Sequence, residues 1–504
     1  MENTDKSTAW QLASLMHLHG IRHVVVSPGS RNTPVILAFS RSGLFSLHYI
    51  VDERVAAFAA LGMAVALDQT VAMVCTSGSA VLNYGPALAE AYYSHIPIVA
   101  ISADRPYCDI DQNRPQTIRQ ANVLDHVIRK SVDIRDGEDS KYANRLINEA
   151  LAAADGHIKG PVHINMQFAM PLTISGSIGS VYSRLIRPTE PPCEVVDFPD
   201  CTRDSYLFVG GLRPGQELRM VREYISQIPS NFTVIAEAQS NLSDMSLITA
   251  AEFEANIDSI SYPDCIFIAG SPLVSAKTSR WIDDAPCQRF YIGCNDIVFS
   301  YDSLRVPLST FLRHIAGIKT SVSHKCLPDL SRTWHETEPT PVSRLIARLS
   351  GKDILLHISN GMSIREAQKV AIARPTEIWS NRGVSGIDGC TSTAIGSSLV
   401  SEHPVVLISG DMSAAYDIGA LATEGVGGNF TMIVVSNNGG DIFRKVATTC
   451  DLPERERYFT AMPKFPLQQL AAAYGFDYIS TDDTDSIEIA QGQRPLIIEL
   501  TAKK

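Results

Sequence analysis

The 504-residue chain has no long apolar run and no clustered cysteines. Its longest apolar segments, such as 404–408, have the length of a strand and fall well short of the roughly 18 residues that suggest a membrane span. The ten cysteines are scattered without a CxxC pair, which argues against a disulfide framework and a zinc ribbon. The first residues also lack the basic flank and apolar run of a secretory signal. We therefore predict a cytoplasmic protein with reduced thiols and no membrane span.

Positive charge is also scarce in this chain. Lysine and arginine number 43 against 54 aspartate and glutamate residues, so the formal net charge is −11. No basic run reverses this charge locally, which makes nucleic acid an improbable partner. The histidines form no HExxH motif, so any bound metal is expected to have oxygen ligands.

The chain is longer than one hydrophobic core usually organises, and its pattern predicts three α/β domains with parallel sheets flanked by helices. Proline-rich or acidic linkers near 187–200 and 335–341 give the boundaries 1–186, 187–335 and 336–504. Whether the first and third domains share one topology is left open by the sequence. The predicted strands lie at 23–26, 70–75, 97–101, 161–164, 206–209, 233–236, 265–269, 290–292, 353–358, 404–409, 430–436 and 495–500.

Oxygen-bearing side chains follow two apolar strands of the third domain. Gly410-Asp411-Met412 leaves the run PVVLIS, and Asn437-Asn438 leaves the run FTMIVVS one strand-helix-strand unit later. The carboxyl ends of parallel strands form the ligand crevice of an α/β sheet, and hard divalent cations prefer carboxylate, amide and carbonyl oxygens. Taken singly, each segment could be an ordinary turn. Together they predict a site for a cation and a diphosphate.

The first domain offers a carboxylate and two arginines at its own strand ends. Glu53 opens the apolar helical segment ERVAAFAALGMA, where a carboxylate could act on a proton or simply complement the helix dipole. Ser30 and Arg31 follow the strand HVVV, and Arg105 follows another strand. Backbone donors and guanidinium groups there suit a carboxylate ligand, although any one arginine could be a surface ion pair.

Longer segments of the chain resemble a family of thiamine-diphosphate enzymes, the 2-succinyl-5-enolpyruvyl-6-hydroxy-3-cyclohexene-1-carboxylate synthases of menaquinone biosynthesis. The resemblance covers the first and third domains almost completely, and the middle domain only through GSPLVSAKTSRW. It implies the three-domain architecture of pyruvate-oxidase-like and decarboxylase-like enzymes. The segments that carry it are SPGSRNTP, DERVAAFAALGMA, TSGSAVLNYGPALAEA, ADRP, QTIRQ, SNRGVSGIDGCTSTAIG, GDMSAAYD and NNGGDIF.

The resemblance also implies a role for individual residues. Glu53 would act on the aminopyrimidine ring of the cofactor, and Ile387 would support its bent conformation. Mg²⁺ or Mn²⁺ would be held by Asp411, Asn437 and the Gly439 carbonyl, with Asn438 as the alternative to Asn437. The further cofactor-binding residues would be Ser385, Gly386, Gly410, Met412, Ser413, Ile442 and Phe443. The substrate-binding residues would be Ser30, Arg31, Arg105, Gln116, Lys277, Arg365 and Arg382, of which Arg31, Gln116, Arg365 and Arg382 would join Glu53 in catalysis.

The implied reaction is the decarboxylation of 2-oxoglutarate and the conjugate addition of the resulting succinyl-semialdehyde carbanion to isochorismate. The active sites would lie at the subunit interface of a homodimer or homotetramer. Two rival interpretations are another thiamine-diphosphate enzyme, which would not need the arginines, and a non-catalytic nucleotide-binding protein. Three positions depart from the family pattern or have an ambiguous register: Gly361, Pro115 and Lys277.

Overall fold

The computed structural model describes residues 2–175, 181–188, 197–293, 300–319, 339–489 and 492–501. Within these ranges the chain forms three six-stranded parallel sheets, which confirms the predicted α/β class. It divides into two compact units, one of Met1–Pro191, Gly383–Ser401 and Asp417–Val426, the other of Pro192–Arg382, Glu402–Tyr416 and Gly427–Lys504. The linker residues 189–196 and 335–338 lie outside the described residues, so the predicted domain boundaries stay predictions.

The first unit contains one parallel sheet in the order β3-β2-β4-β5-β7-β6. Its inner strands β4, β5 and β7 are buried at every residue, as expected for a parallel sheet covered on both faces. The strands of this sheet are β2 (His23–Val26), β3 (Ser46–Tyr49), β4 (Val71–Cys75), β5 (Ile98–Asp104), β6 (Lys130–Ile134) and β7 (Val162–Gln167). A short antiparallel pair joins β1 (Glu2–Asn3) to β8 (Ile174–Ser175).

The helices of this unit are α1 (Ser7–Leu18), α2 (Thr33–Ser42), α3 (Glu53–Leu67), α4 (Gly85–Tyr93), α5 (Ser140–Ala154) and α12 (Cys390–Ser398). Helices α3 and α12 cross at glycines. A Cβ atom on Gly62 would lie 1.9 Å from the Thr393 carbonyl oxygen, and one on Gly396 would lie 2.1 Å from the Ala59 carbonyl oxygen. The two backbones therefore approach as closely as they do because neither glycine has a side chain.

Gly62→Ala is expected to destabilise the protein by about 1–3 kcal/mol, since the added methyl group meets rigid backbone rather than a flexible side chain. Gly85→Ala in α4 is the matched control, because nothing lies within 4 Å of its Cβ position. It should leave the protein unchanged or slightly more stable. Thermal unfolding followed by circular dichroism measures both variants, and equal melting temperatures would contradict the close crossing.

The second unit contains a central sheet in the order β11-β10-β9-β12-β13-β14. Numbered from its own first strand, this is the order 3-2-1-4-5-6 of doubly wound nucleotide-binding folds. Its strands are β9 (Ser205–Val209), β10 (Phe232–Ala236), β11 (Ile248–Thr249), β12 (Cys265–Ala269), β13 (Gln288–Ile292) and β14 (Asp302–Leu304). Its helices are α6 (Gln216–Ile225), α7 (Ala250–Asn256), α8 (Ala276–Asp283) and α9 (Leu308–Ala316).

The third sheet, also in the second unit, has the order β16-β15-β17-β18-β20-β19. Numbered from their own first strands, the first and third sheets both read 2-1-3-4-6-5, so the two share one topology. The strands are β15 (Leu355–Ile358), β16 (Glu377–Trp379), β17 (Val405–Gly410), β18 (Phe430–Ser436), β19 (Asp477–Thr481) and β20 (Leu496–Thr501). The helices are α10 (Pro341–Leu349), α11 (Met362–Ala367), α13 (Asp411–Tyr416), α14 (Arg455–Tyr458) and α15 (Leu467–Ala473).

The helices are all short compared with the thickness of a bilayer. Among the described residues, none is both long enough and apolar enough to cross a membrane.

Candidate active site

Asp411 lies where β17 ends and α13 begins, at the carboxyl edge of the third sheet, and only 4% of its surface is exposed. Its Oδ1 atom accepts the Met412 N–H at 2.8 Å. Its Oδ2 atom accepts the N–H groups of Asn437 and Gly439, both at 3.1 Å. Burial raises the pKa of Asp411, and these backbone donors oppose the rise. The carboxylate thus joins the ends of β17 and β18.

Asn437 and Gly439 have the features expected of the other two metal ligands. The Asn437 Oδ1 atom is buried and has no hydrogen-bond partner among the described residues. Burying an amide oxygen without a hydrogen-bond partner destabilises the folded protein unless a ligand binds to that oxygen. Gly439 has φ +120°, and a Cβ there would lie 1.8 Å from the Thr460 carbonyl oxygen. Asn438, by contrast, is exposed. The chemistry of this set fits a hard cation, and it favours Asn437 over Asn438.

The other predicted cofactor residues of the second unit lie beside these ligands in the chain. Gly410 is the last residue of β17, and Met412 and Ser413 continue the first turn of α13. Ile442 and Phe443 lie in a short 3-10 helix, where the Phe443 ring packs on Phe459 with centroids 5.6 Å apart.

Glu53 is the first residue of α3 in the first unit and is half-buried. The preceding Asp52 caps this helix by accepting the N–H groups of Arg54 and Val55. Burial raises the pKa of Cys75 and of Tyr84, and the negative charge of Glu53 adds to both rises. The Glu53 carboxylate therefore lies close enough to these two buried side chains for its charge to act on them.

Ser385, Gly386 and Ile387 belong to the same unit as Glu53. Ser385 has φ +61°, which places the segment in a tight turn. The segment is tied to α4 by Glu90, a buried carboxylate that accepts the N–H groups of Gly383 at 2.7 Å and Val384 at 2.8 Å. Glu90 was missed by sequence reasoning, although a charge inside the apolar helix PALAEAYY is a signal that could have found it.

Arg31 and Arg105 lie together after β2 and β5. Arg31 is 7% exposed, and its Nη1 donates to the Phe168 carbonyl at 2.7 Å. Burial, followed by the positive charge of Arg105, lowers the pKa of Arg31. Asp109 and Asp104 are the carboxylates whose negative charges act on Arg31, and the buried Asp104 also accepts the Arg105 backbone N–H at 2.7 Å. The positive charge of Arg105 acts more strongly on Arg31 than the charge of either carboxylate, so guanidinium groups at this place can still attract an anionic ligand.

Gln116 and Ser30, two further predicted substrate-binding residues, are both exposed. Gln116 has φ +53°, and its Cα lies 3.2 Å from the Cβ position of Gly78. The buried Gln120 side chain holds the loop of Gln116 against Gly78. Its Oε1 accepts the Gly78 N–H at 2.8 Å, and its Nε2 donates to the Asn165 Oδ1 at 3.0 Å. Sequence reasoning overlooked Gln120 as a supporting residue, although it completes the QTIRQ segment.

Arg382, in the second unit, follows β16 and is held at two points. Its Nη1 donates to the Asn360 Oδ1 at 3.1 Å, and its Nη2 donates to the Leu273 carbonyl at 3.3 Å. Arg365 lies on α11 and donates to the Gly361 carbonyl at 2.6 Å. Gly361 has φ +98°, a conformation in which the serine of the family pattern would be strained. Lys277 forms an exposed ion pair with Asp258 at 3.2 Å.

Comparisons with known proteins agree with this geometry. Residues 6–123, which include Glu53, match the family described as thiamine pyrophosphate enzyme, N-terminal TPP binding domain. Residues 360–499, which include Asp411, match the corresponding C-terminal TPP binding domain.

Curated relatives extend the match over nearly the whole chain. A 2-succinyl-5-enolpyruvyl-6-hydroxy-3-cyclohexene-1-carboxylate synthase of Porphyromonas gingivalis is 33% identical over 99% of this chain and 94% of its own. The chain belongs to this synthase family. Proteins of the same name from Flavobacterium psychrophilum and Flavobacterium johnsoniae are 33% and 32% identical, each over 95% of this chain and 92% of its own.

Membership of the synthase family confirms the predicted enzyme class and the thiamine-enzyme architecture. The chain is a thiamine-diphosphate-dependent synthase, a transferase that forms carbon–carbon bonds, and the rival interpretation as a non-catalytic nucleotide-binding protein is excluded. The roles assigned to individual residues stay predictions, as do the metal and the two substrates.

Proposed function

We propose that this enzyme removes carbon dioxide from 2-oxoglutarate and transfers the remaining four-carbon unit to isochorismate in menaquinone biosynthesis. The names of its relatives support the proposal, because the product they make carries a succinyl group and an enolpyruvyl group on one ring. Both proposed substrates are dianions at neutral pH. The enzyme therefore needs local positive charge despite its net charge of −11.

The observation that carries the proposal is the pairing of Arg31 with Arg105. The two are close enough for the charge of Arg105 to lower the pKa of Arg31, and the Arg31 side chain is buried and directed by Phe168. Asp109 and Asp104 compensate part of this positive charge, and an anionic ligand beside the two guanidinium groups would add charge-assisted hydrogen bonds. Arg382, fixed by Asn360 and Leu273, is a further cation in position for a carboxylate.

The cofactor would be held by residues of two subunits, in keeping with active sites at the subunit interface. Asp411, Asn437 and the Gly439 carbonyl would hold Mg²⁺ or Mn²⁺ against the diphosphate, and Glu53 would hold a proton at the aminopyrimidine ring. When bound, thiamine diphosphate supplies the electron sink for decarboxylation. The protein orients this group, shields it from water and selects the anions that reach it.

A homodimer or homotetramer in the cytoplasm, with active sites at the subunit interface, is the assembly we propose. Its support is the exposed apolar surface near Glu53. Val51, two residues before Glu53, is exposed over 62% of its surface, and Tyr49 at the end of β3 is also exposed. Exposed apolar residues beside a functional carboxylate are typical of a surface that another subunit covers.

The proposed reaction is tested by following the loss of isochorismate in ultraviolet light with purified enzyme, 2-oxoglutarate, thiamine diphosphate and Mg²⁺. We expect turnover that requires every component, with the product identified by mass spectrometry. Release of carbon dioxide without consumption of isochorismate would leave the cofactor assignment intact and overturn the acceptor. A functional enzyme of another thiamine-diphosphate type would instead turn over a different 2-oxoacid and keep its activity in Arg31→Ala.

A further inference from the structure

The central sheet has its ligand crevice closed by its own loops. In a doubly wound sheet, ligands bind outside the carboxyl ends of the strands where the strand order reverses, here between β9 and β12. The Gly211 N–H donates to the Ser271 Oγ at 2.8 Å, and the Ser271 N–H donates back to the Gly211 carbonyl at 3.0 Å. A Cβ on Gly210 would lie 2.0 Å from the Ser271 carbonyl oxygen. This edge of the sheet is therefore packed rather than open.

A buried carboxylate lies at the same edge. Glu237 follows β10 and is 2% exposed. It accepts the Val274 N–H at 2.6 Å and a further backbone bond from Ser275, and Gln239 donates to its second oxygen. Arg382 is the charged group that faces it. A carboxylate so far removed from water requires such compensation, which here comes from the 273–275 loop, from Gln239 and from one arginine of the proposed substrate site.

The same loop supports Arg382 directly. Leu273, whose carbonyl accepts from the Arg382 guanidinium, is followed at once by Val274, whose N–H is bound by Glu237. Ser275 caps α8, the helix that carries Lys277. One carboxylate therefore fixes the backbone on which Arg382 rests.

Two amide side chains tie this arrangement to the third sheet. Gln368 donates to the Gln239 Oε1 at 2.8 Å and accepts the Ala238 N–H at 3.0 Å. Asn241 pairs with the edge strand β16, accepting the Ile378 N–H at 2.7 Å and donating to its carbonyl at 3.1 Å. Strand β16 ends three residues before Arg382. The central domain therefore supports the backbone that leads to this arginine through Asn241 and supports its side chain through the Leu273 carbonyl.

We propose that Glu237 is a positioning residue for the substrate site, holding Arg382 in place through the 273–275 loop and through its opposite charge. The inference rests on the proposed function for its substrates, and it gives the central domain a part in substrate selection. The ionised carboxylate makes charge-assisted hydrogen bonds to the loop, which are about twice as strong as neutral ones. Neutralising it loosens the loop and the arginine together.

Glu237→Gln is expected to raise KM about tenfold, the loss that corresponds to one charge-assisted hydrogen bond, with a smaller change in kcat. The substrate whose KM rises in Glu237→Gln should also be the one whose KM rises in Arg382→Lys. In the double variant, the rise in KM should be smaller than the two single effects combined. In the unaltered enzyme this KM should rise as pH falls below about 7, because burial raises the pKa of Glu237 to about 7. Glu237→Gln should lose this pH dependence of KM. An unchanged or lower KM in the variant would overturn the positioning role.

Glu217→Gln is the matched control from the same domain. Glu217 is a structural carboxylate that accepts the N–H and Oγ–H of Ser309, each at 2.9 Å. Its replacement should lower thermal stability and leave KM and its pH dependence as in the unaltered enzyme. A rise in KM equal to that of Glu237→Gln would show a general effect of loosening the central domain and would overturn the proposal.

Unfolding measurements test the coupling of Glu237 to Arg382 without any substrate. Because its folded pKa lies near 7 and its ordinary value is 4.5, the folded protein binds a proton that the unfolded chain has lost in this range. The free energy of unfolding should therefore decrease as pH rises from about 4.5 to about 7. Glu237→Gln should lack the part of this decrease that comes from Glu237. Arg382→Gln should deepen the fall, and an unaltered fall in that variant would overturn the coupling. An enzyme inactive on both substrates would contradict the proposed function, while these curves would still decide the coupling.

Discussion

Glu53→Gln is expected to lower kcat by about 10²- to 10⁴-fold, the range typical of losing a positioned proton-transfer group. Glutamine preserves the size of the side chain and removes only its negative charge and its ability to exchange a proton. The Glu53 carboxylate opens α3, and its charge reaches the buried Cys75 and Tyr84. Steady-state assays of isochorismate consumption measure the effect.

Thiamine diphosphate binding separates this role from a structural one. Titration calorimetry should show cofactor affinity in Glu53→Gln within a few-fold of the unaltered enzyme, because other residues are predicted to contact the diphosphate and the metal. Asp52→Asn is the control, since Asp52 caps the same helix through the N–H groups of Arg54 and Val55 and asparagine can still accept them. It should retain activity. If Glu53→Gln remained fully active, the glutamate would serve the helix dipole alone.

The strands that sequence reasoning found and missed differ in their position in the sheets. Inner strands such as β4 and β17 were predicted to within a residue or two, because burial on both faces makes them continuous apolar runs. Apart from the short pair β1 and β8, the described strands that were missed all lie at the edges of the six-stranded sheets, namely β3, β6, β11, β14, β16 and β19. Strand β3 has no buried residue and β19 none either, so neither carries an apolar pattern. Edge strands are specified by their neighbours more than by their own sequence.

A similar division runs through the candidate site. The residues predicted to contact ligands are carried by short motifs at strand ends, such as GDM and SPGSR. The residues that support them, Glu90, Gln120 and Glu237, form contacts across long sequence separations, so their partners cannot be read from the local sequence even where the residue lies in a conspicuous segment, as Glu90 and Gln120 do. Glu90, for example, bonds Gly383 nearly three hundred residues away. Only the fold brings such pairs together.

Asn437→Ala is expected to weaken Mg²⁺-dependent binding of thiamine diphosphate by at least about 10- to 100-fold, since even the groups behind metal ligands contribute that much. The Asn437 Oδ1 atom is buried without a partner among the described residues, at the end of β18 beside Asp411. Alanine removes this oxygen and leaves the backbone N–H that Asp411 accepts. Titration of the protein with cofactor at several Mg²⁺ concentrations measures the loss, and excess Mg²⁺ should restore part of the affinity.

Asn438→Gly is the matched variant that decides the register of the site. Asn438 is exposed and has φ +64°, a conformation that glycine adopts without strain. Because its side chain is exposed, replacing it should leave cofactor binding and its Mg²⁺ dependence nearly unchanged. If Asn438→Gly lost cofactor while Asn437→Ala kept it, the metal ligand would be Asn438, and the unpaired Asn437 oxygen would have to serve another group. A loss in both variants would place the two amides in one ligand shell, with Asp411 as their shared carboxylate.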